Sequence, residues 1–126
     1  MRAQVAYGSD YYQHANKNII SLAMIETKEA VDNIDAILSV PNLTGIYIGP
    51  ADMSSSYGLP PKFDVKEDPV FSNIKMIVKK ARDKGKVAGI HNGSVQYLKE
   101  MIKIGFQFTS LLSDFRIMSS LSLIHI

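Results

Sequence analysis

At 126 residues, 46% hydrophobic and 21% charged, the chain is long enough for one ordinary globular domain and no more. A formal charge of +2, with the basic residues scattered singly or in pairs, gives no footing on a phosphate backbone and excludes nucleic acid as the expected partner. The lack of cysteine excludes disulfides, zinc-thiolate sites and thiol nucleophiles; no apolar run nears the roughly 18 residues that span a bilayer and no leader pattern opens the chain, so a cytoplasmic protein with no membrane partner is expected.

The chain opens on a polar, tyrosine-rich lead-in whose Tyr7, Tyr11 and Tyr12 are expected to pack it onto the rest. Residues 18–25 are largely apolar and read as a strand buried on both faces, as in a parallel sheet. Thr27 then caps a helix with Ala30, Val31, Ile34, Ile37 and Leu38 at the helical period, closed by Pro41 and Asn42. Residues 43–48 give a second buried strand, ended by Gly49 and Pro50.

Residues 51–68, with Gly58, Pro60, Pro61 and a serine run, read as a long loop of the kind that is functional or disordered. Asp68 and Pro69 start a helix whose stripe is Val70, Phe71, Ile74, Ile77, Val78 and Ala81, and which Gly85 ends. Lys79, Lys80, Arg82 and Lys84 read as its solvated, dipole-compatible end. Residues 87–90 form a third strand. Ser94 caps a third helix with Val95, Leu98, Met101 and Ile102 inward, and residues 106–112 form a fourth strand.

Strand and helix alternate with short connections, which predicts parallel strands joined by right-handed crossovers. No glycine fingerprint or P-loop follows any strand, so a (β/α) barrel is favoured over a nucleotide-binding sheet. A whole barrel takes eight such units and about 250 residues, whereas this sequence supplies about four.

Glu26 and Asp52 fall just past the ends of the first two predicted strands. Neighbouring strands lie about 4.8 Å apart, so the two carboxylates could grip one small divalent cation. Without a metal they would serve as a cap neighbour and an Asx-turn residue. His91 ends the third strand beside Asn92 and Gly93, on the side where barrel active sites collect, and reads as a polar turn residue because no partner is fixed for it. Asp114 reads as a cap or a partner of Arg116, and His14 and His125 carry no motif.

Four blocks in order carry a resemblance. They are Ile25-Glu26-Thr27-Lys28-Glu29-Ala30, Asn33-Ile34-Asp35-Ala36-Ile37-Leu38, Gly45-Ile46-Tyr47-Ile48-Gly49-Pro50-Ala51-Asp52-Met53-Ser54, and Gly105-Phe106 through Ser113-Asp114-Phe115-Arg116. With them the chain resembles the C-terminal half of the class II pyruvate aldolases of 4-hydroxy-2-oxoheptanedioate, 2-dehydro-3-deoxyglucarate and 2-keto-3-deoxy-L-rhamnonate, within the citrate lyase β-like superfamily. The resemblance implies an α/β fold of (β/α)8 TIM-barrel type, with strands 5–8 of the barrel in residues 1–118 and a non-native or disordered tail in 119–126.

It further implies a carbon-carbon lyase that cleaves a 4-hydroxy-2-oxo acid reversibly to pyruvate and an aldehyde. Glu26 and Asp52 would hold Mg2+ or Mn2+ or another divalent metal, and Gly49, Pro50, Ala51 and Asp52 would seat the small-molecule 2-oxo acid. Better-known members have glutamine where this chain has Met24, a substrate-facing position at which a thioether cannot donate a hydrogen bond. The family's general-base histidine and enolate-stabilising arginine belong to the N-terminal half, so no catalytic residue is assigned here. The full-length protein is expected to be a homo-oligomer and the fragment alone inactive. Two alternatives are a citrate-lyase-like or malyl-CoA-lyase-like enzyme on acyl-CoA substrates, and a non-catalytic piece that only binds or assembles.

Overall fold

A computed structural model describes residues 2–122. The chain runs through α1 (Arg2–Tyr7), α2 (Tyr11–Asn18), β1 (Leu22–Ile25), α3 (Lys28–Asp32), α4 (Ile34–Leu38) and β2 (Gly45–Ile48). It continues through α5 (Pro50–Ser56), α6 (Val70–Asp83), β3 (Val87–Asn92), α7 (Val95–Ile104), β4 (Phe108–Leu111) and α8 (Asp114–Ser122). The strands form a 4-stranded sheet in the order β1-β2-β3-β4, parallel throughout. Order and direction are those that repeated right-handed strand-helix units impose.

Successive side chains of a strand point to opposite faces, and the two faces of this sheet differ. On one, Ile25, Ile46, Ile48, Ala88 and Ile90 have no exposed surface and join Ile34, Leu38, Ile74, Ile77, Ala81 and Met101 in one apolar cluster. Each fully buried isoleucine, leucine or methionine side chain of this cluster contributes about 1.5–3 kcal/mol. The other face is open: Met24 is 53% and Phe108 50% exposed. The first strand, which reads as buried on both faces, is thus covered on one.

Several elements depart from expectation for identifiable reasons. The lead-in is helical. Tyr7 stacks on Tyr11 with ring centroids 5.4 Å apart, while Tyr7 and Tyr12 stay exposed instead of packing on the sheet. Residues 18–21 are not strand: the Ile19 N–H closes α2 on the Ala15 carbonyl, which leaves Ile19 and Ile20 exposed. The helix after Thr27 is two short helices. Asn33 ends α3 by giving both its backbone N–H and its side-chain amide to the Glu29 carbonyl, a competition that asparagine offers more readily than other residues.

The expected loop at 51–68 begins as helix, with residues 51–56 in α5. Pro50 occupies the start of α5, where its missing N–H costs nothing. The serines that read as loop return their hydroxyls to helix carbonyls, Ser54 to Pro50 at 2.7 Å, Ser55 to Ala51 at 3.1 Å and Ser56 to Met53 at 2.8 Å. In α7 the buried positions are Tyr97 and Met101, whereas Val95 and Ile102 face solvent; the Tyr97 hydroxyl reaches the Val65 carbonyl at 2.7 Å and turns the stripe toward the residue 57–69 connection.

The basic end of α6 is more than a solvated face. Lys80 pairs with Asp35 at 2.6 Å, and Lys84 donates to the Asp35 carbonyl and to Ser39 Oγ, which ties α6 to α4. Gly85, at φ 65°, supplies the left-handed residue that ends it. Asp68 accepts from the backbone and hydroxyl of Ser72 and so stabilises the first turn of α6 from just outside it. Of the expected tail, residues 119–122 continue α8; residues 123–126 lie outside the described part. Among the described residues no helix is long and apolar enough to cross a membrane.

Candidate metal and substrate site at the strand ends

Parallel strands deliver their C-terminal ends to one edge of the sheet, and the turns that leave that edge carry the polar residues. After Ile25 the chain passes through Glu26 to Thr27, whose hydroxyl accepts the Ala30 N–H at 3.1 Å and starts α3. After Ile48 it passes through Gly49 directly into α5, which places Asp52 in the first helical turn. The two turns are tied together, because the Lys28 N–H donates to Ser56 Oγ at 3.0 Å.

Register pairs Ile25 with Ile48 and Ile48 with Ile90. One step further along, Glu26, Gly49 and His91 lie in a row on the open face, and His91 pairs with Ser110. Gly49 decides what happens in that row. A Cβ on Gly49 would stand 3.1 Å from Glu26 Oε2 and 3.8 Å from Asp52 Oδ2, so both carboxylates reach into the space that the missing side chain leaves. Glu26 is partly buried and Asp52 exposed. Among the described residues neither carboxylate has an ion-pair partner.

Two converging carboxylates without a counter-charge suit a hard dication that binds oxygen and keeps several of its waters. Among the described residues no group of three or more acidic, histidine or cysteine side chains is placed to hold a metal, so a cation here would rest on this pair with its other positions open. The expected ligands Glu26 and Asp52 are thus brought together. Gly49, Pro50 and Ala51 line the same turn, and the first N–H groups of a helix, here those of Ala51 and Asp52, have no intrahelical acceptor. Met24 lies one layer below Glu26, on the same open face as Tyr47.

The reading by residue type missed a polar chain beside the pair. Gly89 has no side chain between Tyr47 and Phe108: a Cβ there would be 2.7 Å from Tyr47 Cδ2 and 3.0 Å from Phe108 Cδ1. The two rings close over it with centroids 5.8 Å apart. The Tyr47 hydroxyl then hydrogen-bonds Ser110 Oγ, which also bonds His91 Nδ1 at 2.8 Å. Asn92 holds Ser110 in place by donating to its carbonyl at 2.8 Å, while its own buried Oδ1 has no partner among the described residues. Alternation with period two does place residues 47, 89 and 91 on one face; the cross-strand register needed to add Ser110 is not legible in the sequence. Asp114 accepts the Phe115 N–H and forms no pair with Arg116, which sits over the Phe63 ring instead.

A parallel strand-helix sheet with an acid pair at the C-terminal edge is the layout of TIM-barrel enzymes, whose chemistry gathers at that end. The chain belongs to the HpcH/HpaI aldolase/citrate lyase family, whose profile matches residues 1–118. It is 38% identical over 119 residues to a hydroxypyruvate/pyruvate aldolase of Rhizorhabdus wittichii, covering 94% of this chain and 47% of that protein. To a 4-hydroxy-2-oxo-heptane-1,7-dioate aldolase of Escherichia coli it is 33% identical over 102 residues, with 81% of this chain and 38% of the relative covered. The solved HpcH/HpaI aldolase of Desulfitobacterium hafniense DCB-2 superposes with a TM-score of 0.82 at 22% identity, over 93% of this chain and 45% of that one. The chain thus spans half or less of the length of these relatives.

Proposed function

We propose that this chain is the metal-binding half of a class II aldolase that cleaves a 4-hydroxy-2-oxo acid to pyruvate and an aldehyde. The observation that carries the reading is the convergence of Glu26 Oε2 and Asp52 Oδ2 on the vacant side of Gly49. Glu26 and Asp52 would hold Mg2+ or Mn2+, leaving positions for a chelating 2-oxo acid. When bound, the dication polarises the keto group, so that negative charge arising on the pyruvate half as the C3–C4 bond breaks is met where it develops.

The chain's own residues orient the ligand. Gly49 leaves the room, and the Ala51 and Asp52 N–H groups offer donors to a carboxylate at the start of α5. Met24 offers only an apolar surface below the site. The base that takes the C4 hydroxyl proton and the arginine that steadies the enolate are assigned to the remainder of the full-length homo-oligomeric, cytoplasmic enzyme, so the chain alone is expected to bind and not turn over.

The test is titration of the chain with Mn2+, followed by electron paramagnetic resonance. One site per chain is expected, lost in Glu26→Gln and in Asp52→Asn, with circular dichroism unchanged in both. Undiminished Mn2+ binding by both folded variants would sink the assignment, and pyruvate release by the chain alone would defeat the claim of inactivity.

A further inference from the structure

We infer that His91, held by Ser110 and Tyr47, is the group that recognises the C4 hydroxyl of the substrate; the inference rests on the aldolase reading above and adds a specificity-determining residue to it. Gly49 separates Glu26 from His91 in the same row of the open face. Gly49 puts no side chain of its own between the carboxylate pair and the imidazole, so one strand of bare backbone separates them. Strands are spaced about 4.8 Å apart. The C4 oxygen of a 4-hydroxy-2-oxo acid, three single bonds of about 1.5 Å from C2, lies at most about 3.8 Å from it, and a hydrogen bond of about 2.8 Å carries the reach across that step. A ligand gripped by its carboxylate and keto oxygens over Gly49 therefore places its next oxygen at His91.

The imidazole is prepared for such a contact. Its Nδ1 is occupied by Ser110 Oγ at 2.8 Å, its ring packs edge-on against Phe63 at 4.9 Å, and Nε2 has no hydrogen-bond partner among the described residues. The ring is thus held from two sides with one nitrogen left for a ligand. Ser110 Oγ, bonded in turn to the Tyr47 hydroxyl, can donate to Nδ1 or accept from it. Nε2 can accordingly accept from an alcohol or donate to the carbonyl oxygen that replaces it. A chain of donor-acceptor groups of this sort suits a hydroxyl and has nothing to offer a bare methylene. A site built to bond a hydroxyl discriminates against the analogue that lacks one, because its polar group is then left unpaired.

The test uses the chain loaded with Mg2+ and two probes, 2-oxopentanoate and 4-hydroxy-2-oxopentanoate, titrated calorimetrically. The hydroxylated acid is expected to bind about fivefold more tightly or better. The ratio of the two affinities should fall to near one in His91→Ala, recover in part in His91→Gln, and drop in Ser110→Ala. Long-range 1H–15N spectra of the imidazole should show Nε2 shifting with the hydroxylated acid only, which a merely structural histidine would not do. Equal affinity for the two probes, or a preference that survives His91→Ala, would overturn the inference and leave the aldolase reading standing. Failure of both acids to bind, or binding that needs no Mg2+ and survives Asp52→Asn, would overturn the aldolase reading and the inference with it.

Discussion

Replacing Gly49 with alanine separates the role of this residue in the site from its role in the fold. The backbone there has φ −99° and ψ 90°, which alanine adopts without strain. The added Cβ would meet Glu26 Oε2 at 3.1 Å and Glu26 Cβ at 3.4 Å, so the carboxylate at the flexible end of the side chain must give way by a few tenths of an ångström while the main chain need not. Loss of glycine's unfolded-state freedom stabilises by about 0.4–1 kcal/mol and offsets that adjustment, so the net change in stability should stay within about 1 kcal/mol. Metal sites tolerate ligand errors of only about 0.2 Å, and the methyl group also fills the space both carboxylates face. Metal affinity should therefore fall by about 10–100-fold, the usual effect of disturbing a ligand's support. Thermal melts by circular dichroism paired with Mn2+ titration read the two quantities separately. As a control, a Cβ on Gly45 would lie 2.1 Å from the Val87 carbonyl oxygen, a backbone clash that should abolish folding. A Gly49→Ala protein with unchanged melting temperature and unchanged Mn2+ affinity would refute the placement of the cation over this residue.

Other substitutions probe the covered face and its ties. Ile48→Ala should cost about 2–5 kcal/mol, since Ile48 has no exposed surface; urea unfolding would measure it, and a loss below 1 kcal/mol would mean that the core is looser than described. Tyr97→Phe should cost about 1 kcal/mol in the same assay by leaving the Val65 carbonyl without its donor. Acid should destabilise the fold through three lowered carboxyls: Asp35 beside Lys80, Glu67 beside Lys62, and Asp68, which accepts from Ser72. Because their folded values lie below the unfolded ones, their contribution is fully present above about pH 5, past the unfolded carboxyl range, and is lost as pH falls through the lowered values. Melting temperature should drop below that pH, less steeply in Asp35→Asn; an identical profile in that variant would remove Asp35 from the account.

The parts of this molecule that depend on neighbours in sequence were legible in it. Thr27 and Ser94 cap their helices as their positions predict, each accepting the N–H of the residue three further on, and the stripe from Val70 to Ala81 is buried. That Glu26 and Asp52 share one edge of the sheet was legible because Glu26 directly follows β1 and Asp52 lies in the helical turn after β2, and parallel strands place such turns at one edge. What could not be read depended on long-range geometry. The serines of α5 have weak helical preference and read as loop until their hydroxyls find carbonyls one turn back. Tyr97 was passed over because its burial is set by Val65, far away in sequence. His91 looked partnerless for the same reason, since Ser110 reaches it only through the pairing of β3 with β4.

The two faces of the sheet divide the work of the sequence. Residues 25, 46, 48, 88 and 90 point toward the helices and carry the cohesion of the fold. Residues 26, 49, 91 and 110 alternate with some of them on the opposite face, where Glu26, His91 and Ser110 are only partly buried. A single strand therefore holds a core residue and a site residue side by side, as Ile25 with Glu26, Ile48 with Gly49 and Ile90 with His91. The core residue anchors the backbone from which its neighbour projects, and the neighbour need not contribute to stability. On this arrangement, substitutions at the two members of each pair should separate cleanly: truncating the isoleucine is expected to lower stability, while changing its neighbour is expected to alter ligand binding in a protein that still folds. Glycine is what lets the arrangement work as a site, because Gly49 clears the space for the carboxylates and Gly89 lets Tyr47 lean far enough to hold Ser110. On the proposed reading, the chemistry of this edge would depend as much on the two missing side chains as on the acidic and imidazole groups around them.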